Sequence, residues 1–310
     1  AALRRASAAL LARATAAPGL LASLGRLGER AAWEAAAQAR HGCLALWAVG
    51  AAGEGNACHA NDTAHILEVE GLAAAMSGPG AAAAHTAACL QEQRLADDSG
   101  DGAADQLLAE LSALRAAALT DFETMVPVRE AVVALAEAAL KMSSGALRRR
   151  VQVRDAAGYR VHHYPAVAAE HDDASAGRHY HSHVDAGTIR ILRLDPLSPQ
   201  GLQVEVPGGA WLDVPFVEGS VVLLVGDTLE RVTNGRWRGA RHRVSGGAVL
   251  GRPRTTLRTS AFHFRPEEPL DCLPGCCDGR GFRYPVLTSA ELMEHFRDNG
   301  VMLRPRGILF

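Results

Sequence analysis

Residues 181–244 read HSHVDAGTIRILRLDPLSPQGLQVEVPGGAWLDVPFVEGSVVLLVGDTLERVTNGRWRGARHRV, and their pattern indicates the fold class. Short runs of alternating or β-branched residues are separated here by Gly, Pro, Asn and Asp, which is the pattern of strands joined by turns. Similar runs flank the stretch, from VQVRDAAGYRVHHYP at residue 151 to TLRTSAFHF ending at residue 264. Many short strands at this spacing predict a closed antiparallel architecture, and a jelly roll is its natural form.

Two histidines and one aspartate in this stretch have the spacing of metal ligands. In an extended chain residues i and i+2 point to the same side, so His183 and Asp185 present an imidazole and a carboxylate together. His242 lies on a later extended segment, far enough along the chain for several strands to return beside the first pair. Two histidines and one carboxylate on one side of an ion suit Fe(II) oxygen chemistry. His181 competes with His183, but only His183 is followed by an aspartate at i+2.

The stretch also resembles the core of the Fe(II)- and 2-oxoglutarate-dependent dioxygenases, in the branch of isopenicillin N synthase and the plant flavonoid and gibberellin oxidases. The elements HxDAG, GLQV, a Trp-then-Pro segment, GD, TNG and HRV follow one another in that family's order and at similar spacing. Downstream, RTSAFHFRP resembles the family's RxS motif, and upstream HHYP resembles its NYYP, with His162 in place of the asparagine. The resemblance covers about residues 160–266.

The resemblance implies an α+β fold with a double-stranded β-helix (jelly-roll) core and an N-terminal helical layer. It implies Fe(II) as the metal, 2-oxoglutarate as cosubstrate, O2 as oxidant and ascorbate as an auxiliary reductant. It implies that the metal ligands are His183, Asp185 and His242, and that the distal carboxylate of 2-oxoglutarate is held by Arg258, Ser260 and Tyr164. Arg254 competes with Arg258 for the carboxylate, although Phe262 and Pro266 follow Arg258 in the family's phase.

The implied activity is oxidation, most often hydroxylation, of a small organic metabolite with release of succinate and CO2. Two other classes stay open. A non-oxidative metal-dependent hydrolase or isomerase on a jelly roll would have no use for Arg258, Ser260 and Tyr164 together. A non-catalytic binding descendant would be expected to have lost a metal ligand, and all three are present.

The sequence divides into three predicted regions. Residues 1–150 are mainly helical, with short strands at LALWAVG and HILEVEG and a loop at DDSGDGAAD before a long helix. Residues 151–270 form the jelly-roll core, and residues 271–310 form a C-terminal tail with a helix.

Composition excludes several classes of partner. With 32 basic and 34 acidic residues the net charge is -2, which gives no electrostatic footprint for nucleic acid or an anionic membrane. Among the 310 residues no apolar run reaches the roughly 18–20 residues that a spanning helix needs. We therefore predict a small-molecule substrate, a monomer, and neither nucleic acid nor membrane as partner.

Cysteine usage predicts the compartment. Six cysteines in 310 residues are too few for a disulfide framework, and the Cys272, Cys276 and Cys277 cluster lacks the second ligand pair of a zinc site. Reduced thiols indicate the cytoplasm. The Arg-, Ala- and Ser-rich, acid-free residues 1–28 keep an organellar transit segment as the alternative.

Overall fold

The architecture is taken from a computed structural model, which describes residues 2, 5–6, 43–48, 65–70, 101–154, 159–164, 178–194, 196, 201–245, 254–277, 279 and 281–299. Most of the candidate transit segment lies outside the described residues, and so do Cys58 and Cys89. No helix within the described ranges is both long enough and apolar enough to cross a membrane.

The described strands follow the runs predicted from the sequence. They are β1 (Cys43–Ala48), β2 (His65–Glu70), β3 (Val151–Gln152), β4 (Tyr159–Tyr164), β5 (Arg178–His183), β6 (Ile189–Arg193), β7 (Leu202–Glu205), β8 (Trp211–Asp213), β9 (Val222–Val225), β10 (His242–Ser245), β11 (Arg254–Ser260) and β12 (His263–Phe264). The described longer helices are α1 (Asp101–Ala139), α2 (Asp227–Val232) and α3 (Ser289–Asn299).

Two antiparallel sheets form the barrel. One has the strand order β1-β2-β4-β11-β6-β9 and the other the order β5-β10-β7-β8, while β12 and β3 form a separate ribbon. The sheets face each other, because Leu192 and Leu224 of the six-stranded sheet, with Leu194 just after β6, share one buried cluster with Leu202 of the four-stranded sheet. The predicted α+β jelly roll is confirmed.

Helix α1 covers the outer face of the six-stranded sheet. Its buried residues Val132, Val133 and Ala136 share a core cluster with Ile189 and Ile191 on the outer face of β6. The prediction of a loop over DDSGDGAAD is wrong in its second half, since the helix already begins at Asp101. An aspartate in the first turn is favoured by the helix dipole, which offsets part of the roughly 1 kcal/mol that Gly102 costs.

Hydrogen bonds to Glu137 connect the C-terminal end of α1 to the segment that leads into β3. Its carboxylate accepts backbone N–H groups from Gly145 at 2.8 Å, Leu147 at 2.7 Å and Arg148 at 2.9 Å. Burial alone would raise the pKa of Glu137, but these donors outweigh it and lower the pKa below its ordinary value. The side chain is therefore a carboxylate that satisfies three donors in the 145–148 turn.

We expect Glu137→Gln to lower the free energy of unfolding by about 1–3 kcal/mol, because an amide nitrogen would then face a buried N–H donor. Urea titration measures this loss. The stabilisation should be present above the unfolded pKa of about 4.3 and should disappear as the pH falls through the lower folded pKa. Glu123→Gln is the control, since Glu123 makes an exposed ion pair with Arg154 at 3.3 Å. Equal losses in the two variants would contradict the assignment.

Candidate active site

The three predicted metal ligands meet at one end of the barrel. His183 is the last residue of β5, and its cross-strand partner in β10 is His242. Asp185 lies just after β5, in the turn at residues 184–188 rather than in the strand itself. The ligand atoms of the three residues all lie within 4.8 Å of one another. The structure thus brings the predicted set together, with its two histidines on neighbouring strands and its carboxylate on the adjoining turn.

Distances within the group put the carboxylate close to both imidazole rings. Nε2 of His183 lies 3.5 Å from Oδ1 of Asp185, and Nε2 of His242 lies 3.8 Å from Oδ2. Nδ1 of His242 is 2.9 Å from the carbonyl oxygen of Ala240 and must donate to it. In the neutral imidazole Nε2 is then left without a proton, which is the form that binds a metal.

The electrostatics favour that protonation state. Burial is the main reason that the pKa of His242 falls to about 4, so the ring is neutral at pH 7. Burial alone would raise the pKa of Asp185, but Arg258, His183 and Arg190 hold it well below its ordinary value. The site therefore offers a neutral imidazole and a charged carboxylate.

Backbone groups of α2 hold the turn that carries Asp185. The N–H of Gly226 donates to Thr188 O at 2.6 Å, that of Asp227 to Asp185 O at 2.8 Å, and that of Thr228 to Gly187 O at 2.9 Å. Because the start of a helix leaves N–H groups without partners inside the helix, α2 can supply these donors without breaking its own bonds. The contact is tight. A Cβ atom on Gly226 would collide with the carbonyl oxygen of Gly187 and would lie 2.9 Å from that of Asp185.

We expect Gly226→Ala to displace this turn. The backbone of Gly226 is extended, with φ -98°, so the cost is steric rather than conformational. Overpacking of this kind costs about 1–3 kcal/mol of stability, and the shifted Asp185 should weaken metal binding as well. Thermal unfolding and anaerobic metal titration measure the two effects. Gly279→Ala is the control, because nothing lies within 4 Å of a Cβ atom there. Unchanged metal affinity in Gly226→Ala would show that the turn tolerates the shift.

A small cavity lies between the sheets, and two of the three ligands, His183 and His242, are among the residues that line it. Apolar side chains of β6, β7 and β10 form much of its wall, and its polar lining includes Tyr164 and Arg258. The full lining is His162, Tyr164, His183, Leu192, Leu194, Leu202, His242, Val244, Thr256 and Arg258. Two of the three residues predicted to hold 2-oxoglutarate thus line a cavity that also borders both candidate histidine ligands.

Arg258 contacts the metal-ligand group directly. One of its guanidinium nitrogens, Nη2, donates to Oδ1 of Asp185. Tyr164 is buried on β4, with its hydroxyl 3.4 Å from Nδ1 of His162. Ser260 lies two residues beyond Arg258 on β11, where its hydroxyl accepts a hydrogen bond from Arg190. The side chain of the competing residue Arg254 is outside the described part of the structure.

Two buried polar atoms test whether these residues fit a metal ion and a carboxylate ligand. Oδ2 of Asp185 and Nε of Arg258 are both buried, and neither has a hydrogen-bond partner among the described residues. A buried polar atom without a partner is costly, so each is a place where a ligand would bring a gain. An ion suits the first and a carboxylate the second, and two histidines with one carboxylate are the donor set that Fe(II) prefers. The residues fit both groups.

Two residues that contact the candidate site were not predicted from the sequence. Arg190 lies 3.9 Å from Asp185, and Gly226 touches the turn only through tertiary packing. For Arg190 a signal existed, since it alternates with Leu192 and Leu194 and therefore faces the same side of β6 as they do. For Gly226 the sequence offered only its position in the GD element, and that position does not indicate a contact with the turn that carries Asp185.

The chain is similar to known oxygenases. Residues 156–265 match the family model described as the 2OG-Fe(II) oxygenase superfamily. The chain is 35% identical over 136 residues to the 2-oxoglutarate-Fe(II) type oxidoreductase hxnY of Emericella nidulans, a match that covers 43% of this chain and 37% of that protein. It is 35% identical over 117 residues to gibberellin 2-beta-dioxygenase 1 of Arabidopsis thaliana, covering 37% of this chain and 35% of that protein.

A solved structure shares the fold. A full-length Neurospora crassa protein, crystallised in complex with alpha-KG, superposes with a TM-score of 0.53 at 23% identity, covering 61% of this chain and 58% of that one. At this identity the likeness shows the jelly-roll fold. The matches span 37% of the Emericella nidulans protein and 35% of the Arabidopsis thaliana protein, so this chain covers little more than a third of either.

Proposed function

We propose that this chain, whose residues 156–265 match the 2OG-Fe(II) oxygenase superfamily, is a member of that family and a dioxygenase that uses Fe(II), 2-oxoglutarate and O2 to oxidise a small organic metabolite. Hydroxylation is the expected outcome, with release of succinate and CO2. One observation carries the proposal. The ligand atoms of His183, Asp185 and His242 lie within 4.8 Å of one another, and the buried Oδ2 of Asp185 lacks a hydrogen-bond partner among the described residues. Arg258 lines a cavity that the two histidines also border.

In this proposal the metal is held by His183, Asp185 and His242. Bound Fe(II) supplies the oxidising chemistry, and the protein supplies orientation and the exclusion of side reactions. His242 contributes Nε2 because Ala240 O fixes the proton on Nδ1. The α2 donors hold the Asp185 turn from behind, so all three ligands have backbone support.

Three other residues hold the cosubstrate in this proposal. The guanidinium of Arg258 can form two parallel hydrogen bonds to a carboxylate, and the hydroxyls of Ser260 and Tyr164 add donors. The leucines and Val244 of the cavity wall exclude water, which strengthens each of these interactions. Arg258 would divide its donors between Asp185 and the carboxylate, since one already contacts Asp185 and Nε has no described partner.

Succinate formation tests the function. The purified protein is given Fe(II), ascorbate and 2-oxoglutarate, with and without a panel of small organic metabolites, in air and under argon. We expect succinate only when Fe(II) and O2 are both present, at a rate that rises with the correct metabolite. A folded, metal-loaded protein that neither binds 2-oxoglutarate nor forms succinate would refute the proposal. A hydrolase, an isomerase or a binding descendant would then be the better assignment.

We further propose that the protein is a monomer that acts in the cytoplasm. Free thiols at Cys272, Cys276 and Cys277 support a reducing compartment. Light scattering coupled to size-exclusion chromatography tests the monomer, and a mass of twice 32.7 kDa would overturn it.

A further inference from the structure

Arg190 places a positive charge on the inner face of the six-stranded sheet. It lies on β6, and the cavity is lined by Leu192 at i+2 on that strand and by Leu194 just after it. Strand β6 pairs with β11 so that Arg190 is directly opposite Ser260 and Leu192 is directly opposite Arg258. Arg190 therefore adjoins the residues to which the proposed function assigns the cosubstrate.

Contacts of Arg190 link β11, which carries Ser260, to the turn at residues 184–188, which carries Asp185 and is called the metal turn below. Its Nη1 donates to Oγ of Ser260, and its Nη2 donates to the carbonyl oxygen of Ala186. Its Nε lies 3.9 Å from Oδ2 of Asp185. Gly187 leaves room for the guanidinium, since a Cβ atom on that residue would lie 3.3 Å from Nη2. One side chain thus touches both halves of the site.

The hydrogen bond to Ser260 fixes the role of the serine hydroxyl. A hydroxyl has one hydrogen to donate and two lone pairs that accept, whereas a guanidinium only donates. Because Arg190 donates into Oγ, the hydroxyl hydrogen of Ser260 must point to a different acceptor. Arg258, the neighbour of Ser260 at i−2 on the same face, is also only a donor. A carboxylate ligand in contact with Arg258 is the acceptor that fits.

We propose that Arg190 is a positioning residue that holds the hydroxyl of Ser260 as a donor to the distal carboxylate of 2-oxoglutarate. This inference rests on the proposed function. Arg190 acts through Ser260 and does not itself need to touch the cosubstrate. Without it the hydroxyl is free to rotate toward other acceptors, and the carboxylate loses an oriented donor.

A double-mutant cycle tests the proposal by equilibrium binding rather than by turnover. The affinity for 2-oxoglutarate is measured under argon with Mn(II) bound, in the wild type, Arg190→Met, Ser260→Ala and the double variant. Loss of one hydrogen bond to a charged group corresponds to about tenfold or more in affinity, so each single variant should bind about tenfold more weakly. If Arg190 acts through Ser260, the double variant should be little weaker than either single variant. The same loss from Arg190→Met in both backgrounds would overturn the proposal.

Two further variants separate a positioning role from general damage. Arg190→Lys keeps one donor and should recover most of the affinity. Arg193→Met is the matched control on the same strand, because Arg193 pairs with Asp121 at 2.7 Å and should leave the 2-oxoglutarate affinity unchanged. If Arg190→Met weakens Mn(II) binding as much as 2-oxoglutarate binding, Arg190 supports the metal turn instead, and the proposal fails.

Arg258→Ala distinguishes this proposal from the one on which it rests. If Arg258→Ala leaves the affinity for 2-oxoglutarate unchanged, the proposed function fails, and the present inference fails with it. If Arg258→Ala weakens binding while the losses from Arg190→Met and Ser260→Ala simply multiply, only the role of Arg190 is wrong. Far-UV circular dichroism and thermal unfolding confirm that each variant is folded before its affinity is compared.

Discussion

Asp185→Ala is expected to lose iron binding and turnover together. Asp185 is the only carboxylate in the candidate ligand set, and both imidazoles lie within 4 Å of its oxygens. Loss of a residue that merely supports a ligand costs roughly 10–100-fold in metal affinity, and loss of a ligand should cost more. Anaerobic Fe(II) titration with succinate analysis measures both effects. Iron retained at one equivalent with full turnover would overturn the assignment of the site.

The same substitution has an effect on stability that must be measured beside it. Arg258 would be left buried without the carboxylate that it now contacts, and removal of one partner of a buried ion pair costs about 3–5 kcal/mol. Asp185→Asn is the companion variant, since it keeps the size of the side chain and removes the charge. A variant that is folded at the assay temperature and still fails to bind iron assigns the loss to the ligand.

His181→Ala is the control for the choice of histidine. The sequence places His181 two residues before His183 with no aspartate at i+2, so its loss should affect iron binding far less than His183→Ala. Similar reasoning predicts that His171 and His179, whose side chains lie outside the described set, are not ligands. If His181→Ala loses iron and His183→Ala retains it, the metal ligand is His181 and not His183.

The second large effect is expected at Arg258, and it concerns the cosubstrate rather than the metal. Arg258→Ala should weaken 2-oxoglutarate binding by roughly 30- to several-thousand-fold, because truncating one partner of a buried charge pair costs about 2–5 kcal/mol. Arg258→Lys should have an intermediate effect, since lysine retains the charge and loses the planar fork. Isothermal titration with Mn(II) in place of iron measures both. Metal binding should survive, because the substitution removes a cation beside Asp185 and leaves all three ligands intact.

Arg254→Ala is the matched control for Arg258. The two arginines lie four residues apart on β11, and the backbone of Arg254 pairs with Tyr164 at the other end of the strand. Its substitution should change the affinity for 2-oxoglutarate little. The reverse order of effects would transfer the role to Arg254. No change in either variant would remove the case for 2-oxoglutarate.

The sequence predicted the parts of the site that depend on local geometry. His183 and Asp185 were singled out because their spacing of two residues is visible without any tertiary information, although the extended chain assumed for the pair ends at His183. The strands were found for the same reason, since alternation and turn residues are local signals. Arg258, Ser260 and Tyr164 came from the resemblance, and their roles in binding 2-oxoglutarate stay predictions.

The missed features depend on contacts between distant segments. Arg190 meets Ser260 only because β6 pairs with β11 in a particular register, and one arginine among many in this chain attracts no notice. The α2 helix is six residues long, too short to show a helical period. The early start of α1 was missed because Asp and Gly are read as loop residues, although an aspartate is also favourable at a helix N-terminus.

The hydrogen bonds from the start of α2 to the turn that carries Asp185 have a consequence for engineering the protein. Its three hydrogen bonds come from peptide groups, so they are indifferent to which side chains residues 227 and 228 carry. Mutational libraries can therefore vary those side chains without removing the bonds, except with proline, which has no backbone N–H. Insertions and deletions are different, because one residue gained or lost between β9 and α2 would shift the three donating N–H groups out of register with their carbonyl acceptors. In this segment the number of residues matters more than their identity.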